Sequence, residues 1–324
     1  MGTNEKVRVG VIGVGRMGQF HVNVYSEMPE VELAGVSDID SGRGSAIQEK
    51  FNVENFRDYR ELLKKIDVAS IAVPTGLHYE IAKEALNKGV HLLVEKPISN
   101  SYEKAYELFE IAEKRGLVLQ VGHVERFNGA VQELHKIVED PILVQCRRMG
   151  PFDPRVAHDS VVLDLMIHDI DIVLNLIKSE VDELYVTGSS VISQTGDVVI
   201  AQIKFASGCM ATFTASRVTQ NKMRNMSVTC KSKYIYLDFA DQEIHVHRMA
   251  TSKHELRKNE LRYQEESIME RIFVHRDNPL KLELAHLIDC VTNGADRAVS
   301  VDSELKSLRM ALDIIERYQA APAG

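Results

Sequence analysis

The stretch Val7-Arg-Val-Gly-Val-Ile-Gly-Val-Gly-Arg-Met-Gly18 constrains the fold more than any other part of the chain. Val7, Val9, Val11 and Ile12 make a short apolar β run, Gly13-Val14-Gly15-Arg16-Met17-Gly18 fits G-x-G-x-x-G, and Met17, Phe20 and Val24 recur at helical spacing. A strand, a tight turn and a helix start follow. In such a turn Gly13 makes the bend, Gly15 lets a pyrophosphate approach bare backbone, and Gly18 lets the helix pack closely on the strand. The phosphates then sit on the helix N-terminus. A glycine-rich turn alone can be only a turn, but here a second strand, 31–36, runs into Ser37-Asp38, with the acid twenty residues past Gly18. A carboxylate at that point accepts both ribose hydroxyls and repels a 2′-phosphate, which favours NAD over NADP as cofactor. Arg16 and Arg43 are the cations in reach of a phosphate and keep NADP open.

After Asp38 the first half keeps alternating strand and helix. Helices are predicted at 45–51 and 59–65, then a fully buried strand at 68–73. Pro74-Thr75 ends that strand, Thr75 caps a helix carrying Ile81, Ala82, Ala85 and Leu86, and Gly89 stops it. The next strand is 90–94. Asn100 with Glu103 reads as a capping box for a helix to Arg115, before a strand at 117–121. Repeated βα units with continuous apolar strands predict an α/β fold, a doubly wound parallel sheet covered on both faces. Its ligand crevice falls at the strand C-terminal ends, where Gly13, Asp38, Val73-Pro74-Thr75, Glu95-Lys96-Pro97 and Gly122-His123 lie.

Past residue 123 the pattern changes. Helices at 129–138 and 161–177 flank a run at 142–148, and β-like runs follow at 181–191, 198–205, 210–216, 225–230, 234–239 and 244–247. Met210-Ala-Thr-Phe-Thr-Ala-Ser alternates in character, as a strand with two different faces does, so a largely antiparallel open sheet is predicted. Helices at 280–291 and 303–318 finish the chain, and 320–324 is expected to fray. The division is a Rossmann domain, 1–123, and an α+β domain, 124–324.

At 324 residues the chain exceeds what one core usually organises, in keeping with two domains. Lys plus Arg is 39 and Asp plus Glu 47, so the net charge of −8 argues against nucleic acid or an anionic membrane as bulk partner. The N-terminal residues lack a signal peptide's apolar core, and no apolar run is long enough to span a bilayer. A cytoplasmic protein is expected. Cys146, Cys209, Cys230 and Cys290 are far apart without any C-x-x-C, so they read as reduced thiols packed like small apolar residues.

Lys96 opens onto the crevice after a buried strand. There an ammonium can hydrogen-bond a substrate hydroxyl and stabilise the alkoxide formed as hydride leaves; a solvated lysine paired with Glu95 is the bland alternative. In the 160–177 helix, Asp164, His168, Asp171 and Asn175 are spaced i, i+4, i+7, i+11, which puts them on one narrow stripe of an otherwise apolar helix. A stripe of this kind lines a polar cavity in which Asp164 orients His168 as a general base, or it is a buried hydrogen-bond cluster. Two ligands at i, i+4 do not close a metal site, so no metal is expected. His123, Arg126 and Asn128 are substrate-binding candidates, the last two for a phosphate, carboxylate or sugar hydroxyl; an Arg126–Glu125 pair is the structural alternative. His78 at the cleft edge and Arg155, His158 and Asp159 in a loop are further candidates, His78 beside the cofactor and Arg155 beside the substrate.

Over nearly its whole length the chain resembles the Gfo/Idh/MocA oxidoreductases. Gly13-Val-Gly-Arg-Met-Gly, Val73-Pro-Thr-Gly-Leu-His78, Val94-Glu-Lys-Pro97 and Leu163-Asp-Leu-Met-Ile-His-Asp169 carry the resemblance in the family's order. It implies that Lys96, Asp164 and His168 match the family's catalytic lysine and its aspartate/histidine pair, that the C-terminal sheet mediates homodimers or homotetramers, and that the substrate is a sugar, inositol or nucleotide sugar oxidised or reduced at a ring hydroxyl. Within the family, 121–128 and 161–171 look most like the nucleotide-sugar 3-dehydrogenases, particularly those acting on UDP-N-acetylglucosamine. Gly129 stands where that pattern has proline. A free-sugar or inositol dehydrogenase has the same residues and no nucleotide pocket; from another class, a NAD-sensing interaction protein would bind dinucleotide without turnover.

Overall fold

The apolar run Val7–Ile12 forms β1, the first strand of a six-stranded parallel sheet. In this computed structural model, which describes residues 6–154, 159–249 and 267–320, the first half of the chain runs β1, α1 (Arg16–Ser26), β2 (Val31–Ser37), α2 (Ser41–Phe51), β3 (Glu54–Phe56), α3 (Tyr59–Leu62), β4 (Val68–Ile71), α4 (His78–Asn87), β5 (His91–Glu95), α5 (Tyr102–Lys114) and β6 (Leu119–Gly122). The strand order is β3-β2-β1-β4-β5-β6 and every pairing is parallel. The chain therefore winds one way from β1 to β3 and the other way from β4 to β6. The switch point lies between β1 and β4, where open α/β sheets bind ligands.

Local differences from the sequence expectation have local causes. Helix α2 starts at Ser41, four residues before the expected start, because the Asp40 carboxylate accepts from the Gly42 and Arg43 N–H groups. Strand β3 is three residues long, too short for a period to register. The N-cap of α5 is Ser101 and not the expected Asn100, and no capping box forms with Glu103: Ser101 Oγ accepts from the Lys104 N–H and donates to the Glu103 carboxylate, while the Ser101 N–H goes to Ser99 Oγ. Thr75 begins a 3₁₀ turn, Thr75–Leu77, and makes no side-chain cap; α4 follows from His78.

The second half runs α6 (Gly129–Ile137), β7 (Pro141–Met149), a π-helical turn at Val162–Met166 that leads into α7 (Ile167–Leu176), and then β8 (Val181–Ser189), β9 (Val198–Phe205), β10 (Met210–Ser216), β11 (Met223–Cys230), β12 (Lys233–Asp238), β13 (Glu243–Met249) and β14 (Ser267–Ile272). The eight strands are ordered β14-β13-β12-β11-β7-β10-β9-β8, with β7 parallel to β10 and every other pair antiparallel. Alternation puts Val144, Cys146, Ala211, Phe213, Met226 and Val228 on a buried face. Gln145, Thr212 and Ser227, paired across the sheet, take the other. All four cysteines are buried and unbridged.

Helices α8 (Pro279–Asn293) and α9 (Val301–Ala320) close the chain. Residues Met1–Phe127 and Asn278–Leu312 form one compact unit, Asn128–Asp277 and Asp313–Gly324 the other. The expected division after residue 123 assigned both last helices to the second domain; the structure instead returns 278–312 to the first unit. The cause is packing: Leu280, Leu284, Leu287 and Ile288 of α8 join Val9, Val11, Val22 and Tyr25 in one core. Fully burying one such side chain contributes about 1.5–3 kcal/mol, so four fix the helix there.

The second unit holds a buried ion pair that no sequence period signals. Arg148 Nη2 lies 2.8 Å from Asp169 Oδ1, both side chains are 2 % exposed, and the guanidinium stacks 4.8 Å from the Phe239 ring centre. Asp169→Ala leaves that guanidinium buried without its counter-ion and should cost roughly 3–5 kcal/mol of stability. Chemical denaturation of the two proteins checks this; a loss under about 1 kcal/mol would remove the pair from the core of the unit.

Candidate functional site

The glycine turn gives each glycine a different reason. Gly13 has φ +87°, and a Cβ there would stand 2.7 Å from the Ala72 carbonyl oxygen. A Cβ on Gly18 would stand 1.8 Å from the Gly13 carbonyl oxygen, so only glycine lets α1 lie this close to β1. At Gly15 nothing lies within 4 Å of that position. Its φ of −64° suits any residue, so neither the protein's own packing nor its backbone demands glycine there. Space kept bare over the N-terminus of α1, which has no side-chain cap, fits a group that must touch the backbone: the pyrophosphate of a dinucleotide.

Asp38, buried at the end of β2, braces this turn. Its Oδ2 accepts from the Val14 N–H at 2.8 Å and its Oδ1 from the Asp40 N–H at 2.8 Å. Each oxygen retains a lone pair for a ribose hydroxyl. Arg16 and Met17 are exposed on the first turn of α1, and Arg43 is exposed with its Nε 3.4 Å from Asp40 Oδ2.

Further along the crevice, the loops after β4 and β5 carry Val73-Pro74-Thr75 and Lys96-Pro97. Lys96 is part-exposed and follows Glu95, whose buried carboxylate accepts from His21 Nε2 of α1 at 2.9 Å. Burial alone would push the Glu95 carboxyl up, but the His21 hydrogen bond and charge, with Lys96 and His78 close by, hold it below the ordinary carboxylate range. Glu283 of α8 is the opposite case. It is fully buried, neither carboxyl oxygen has a hydrogen-bond partner among the described residues, and burial together with the Glu95 charge pushes it well above the ordinary range. His78, placed by sequence at the cleft edge, is buried, its ring nitrogens each 2.8 Å from a carbonyl oxygen, those of Pro97 and Val73.

The substrate candidates near the end of β6 are occupied by the protein itself. Arg126 forks onto Glu304 of α9, Nη1 to Oε1 at 2.6 Å and Nη2 to Oε2 at 2.9 Å, with His123 Nε2 3.7 Å from the same carboxylate. Glu304 is a partner of Arg126 that the sequence reading did not weigh. Asn128 caps α6, accepting from the Ala130 N–H and donating to the Phe239 carbonyl. Gly129 has a packing reason too: a Cβ there would stand 2.3 Å from the His275 carbonyl oxygen.

In the second unit the polar stripe spans a π turn and the α-helix that follows it. Asp164 lies inside the π turn, where the Ile167 N–H reaches back five residues to Val162, and His168 follows in the first turn of α7. Asp164 and His168 are part-exposed, whereas Asp171 is buried and accepts from Asn175 Nδ2. The last two therefore pair with each other. Ahead of the π turn, Arg217 donates to the Asp159 carbonyl at 2.8 Å and pairs with buried Asp197, which burial would push up but which the Ile192 and Ser193 N–H groups, the Ser193 hydroxyl and Arg217 hold far below the usual range. Arg155 and His158 lie outside the described residues. No group of three His, Cys, Asp or Glu side chains suited to a metal occurs among the described residues, and no described helix is long and apolar enough to cross a membrane.

Sequence reasoning did not find His21, Glu283, Arg148, Asp169, Asp197 or Glu304. Glu283 left a signal, since it occupies the apolar stripe that Leu280, Leu284 and Leu287 define.

A six-stranded parallel sheet with its switch point at β1/β4, a glycine turn left bare at Gly15 and an acid bound to that turn define a Rossmann dinucleotide-binding unit. Residues 7–123 match the GFO/IDH/MocA oxidoreductase family with its NAD-binding Rossmann fold, and 135–236 match that family's C-terminal domain. The chain belongs to this family. It is 34 % identical over 242 residues to UDP-N-acetylglucosamine 3-dehydrogenase of Acidithiobacillus ferrooxidans, covering 74 % of this chain and 77 % of that one. To scyllo-inositol 2-dehydrogenase (NAD(+)) of Bacillus subtilis it is 28 % identical over 233 residues, 66 % and 68 % of the two chains. A solved structure of the Acidithiobacillus enzyme superposes with a TM-score of 0.87 at 28 % identity, over 97 % of this chain and 98 % of that one.

Gly15→Ala separates a ligand's need from the fold's. The added methyl meets no protein atom, so the melting temperature should move by no more than a few degrees while NAD affinity falls at least about tenfold. Gly18→Ala, by contrast, should disrupt folding. Unchanged NAD affinity in Gly15→Ala, by titration, would contradict this use of the turn.

Proposed function

We propose that the protein is an NAD-dependent dehydrogenase acting on a ring hydroxyl of a sugar, with the 3-hydroxyl of a nucleotide sugar such as UDP-N-acetylglucosamine as the favoured substrate. The observation that carries the cofactor half is the bare backbone at Gly15 beside the Asp38 carboxylate. Bound NAD supplies the nicotinamide that accepts hydride. Asp38 would receive the ribose hydroxyls, and its charge favours NAD over NADP; equal affinity for the two cofactors would contradict that preference. The substrate half rests on the similarity to the Acidithiobacillus enzyme; the similarity to inositol dehydrogenases makes free polyols the second reading.

The roles follow from what oxidation of a carbinol requires. Its carbon loses a hydride and its oxygen a proton, leaving a ketone. Lys96, an ammonium on the crevice loop, would hydrogen-bond the oxygen and stabilise negative charge as it develops. His168, with Asp164 helping to orient it, would accept the hydroxyl proton, and must be neutral to do so. Arg126, already forked onto Glu304, serves this reading by fixing the 123–128 turn, and Asn128 by starting α6. The open face of the eight-stranded sheet is the surface through which we place a homodimer or homotetramer.

Lys96→Met should lower kcat by about 10²-fold or more with little change in NAD affinity, the scale of lost acid–base or oxyanion assistance. His168→Asn should stay folded, bind NAD and turn over slowly, while the parent's rate rises with pH as the imidazole loses its proton. Turnover within a few-fold of the parent in either variant, measured with UDP-N-acetylglucosamine and myo-inositol in parallel, would remove that residue from the catalytic set.

A further inference from the structure

His78 opens α4 with its side chain 1 % exposed. Its Nδ1 lies 2.8 Å from the Pro97 carbonyl oxygen and its Nε2 2.8 Å from the Val73 carbonyl oxygen. A carbonyl oxygen can only accept. Both ring nitrogens must therefore carry a hydrogen, whereas neutral imidazole has one N–H and would set its lone pair against the second oxygen. We infer that His78 is held as an imidazolium whose two N–H groups fasten the loop after β4, Val73-Pro74-Thr75, to the loop after β5, Lys96-Pro97, making it a positioning residue for Lys96. The positioning role rests on the assignment of Lys96 to the reacting hydroxyl; the charge state of His78 does not.

A buried cation needs a counter-ion. Glu95, the last residue of β5, is a buried carboxylate held ionised against burial by His21, Lys96 and His78 together. It faces the cluster from β5, and His21 reaches the same carboxylate from α1. From α5, Glu107 is engaged by Lys83 and Tyr79 of α4, and Glu80 in the first turn of α4 is exposed. The N-terminus of α4 opposes a positive charge, so the two carbonyls and Glu95 must outweigh it. Neutralising the ring removes one of the two bonds, and the loop bearing Lys96 loses its fastening to the loop after β4. The device thus acts in the opposite sense to a general base. Loss of the His78 proton lowers turnover, whereas loss of the His168 proton raises it.

The direct test is nitrogen-15 NMR of the histidine rings in the intact protein, assigned by sequential connectivity. At about pH 8 a free imidazole, with a pKa of about 6.5, is neutral. Both His78 nitrogens should nevertheless be of the N–H type there, and a bare ring nitrogen on His78 overturns the imidazolium. Kinetics test the positioning. His78→Asn, which cannot donate to both carbonyls at once, should lower kcat at least tenfold while NAD affinity and substrate KM stay within a few-fold. Unchanged kcat in His78→Asn beside a strongly impaired Lys96→Met overturns the positioning role alone. An unimpaired Lys96→Met means that the reaction assignment has failed, while the NMR result stands by itself. If His78→Asn does not fold, the pH dependence of the parent decides: turnover should fall again above the pH at which the His78 ring loses its second proton, and a rate that stays flat through that titration overturns the positioning role.

Discussion

The approach of α1 to the turn after β1 is the constraint on which the first unit depends. A single methyl at residue 18 would collide with the Gly13 carbonyl, so strand and helix can meet at this distance only because the side chain is missing. With the helix so placed, His21 one turn further on reaches Glu95 at the end of β5, and the Val14 N–H reaches Asp38 at the end of β2. Three strand ends are thereby tied to one turn. The crevice loops inherit their positions from these bonds, and the backbone at Gly15 stays bare among them.

Buried charge in this protein takes two forms. The second unit holds buried ion pairs, Arg148 with Asp169 and Arg217 with Asp197. Replacing such a pair by apolar groups is often neutral, and breaking it is not, so these pairs argue for a specified arrangement more than for stability. The first unit has one such pair, Arg126 with Glu304, and also gathers His21, His78 and Lys96 around the Glu95 carboxylate, with buried Glu283 pushed the opposite way. Titratable groups shifted in opposite directions mark sites where protons are handled more often than they mark ordinary cores.

Much of this was legible in the sequence because the signals were local. The strand–turn–helix at 7–18, the acid at 38 and the alternation in 210–216 each arise within one element, and each element formed. What was not legible depends on residues far apart. Glu304 meets Arg126 from 178 positions away, and nothing near either residue announces it. The return of α8 to the first core is a similar case, since its apolar stripe shows that it packs but not on what. The π turn at Val162–Met166, with Asp164 inside it, left no mark in the apolar spacing. Gly129 could be noticed from sequence as a departure, but its reason, the His275 carbonyl, appears only in the fold.

Hydride transfer from a defined carbon is the central claim, and isotope transfer measures it most directly. UDP-N-acetylglucosamine carrying deuterium at C3 would be incubated with the protein and NAD, and both products examined by mass spectrometry. The account predicts deuterated NADH together with a ketone on the sugar. Absence of deuterium from the nicotinamide, with C3-deuterated nucleotide sugar and with ring-deuterated inositols alike, would contradict it.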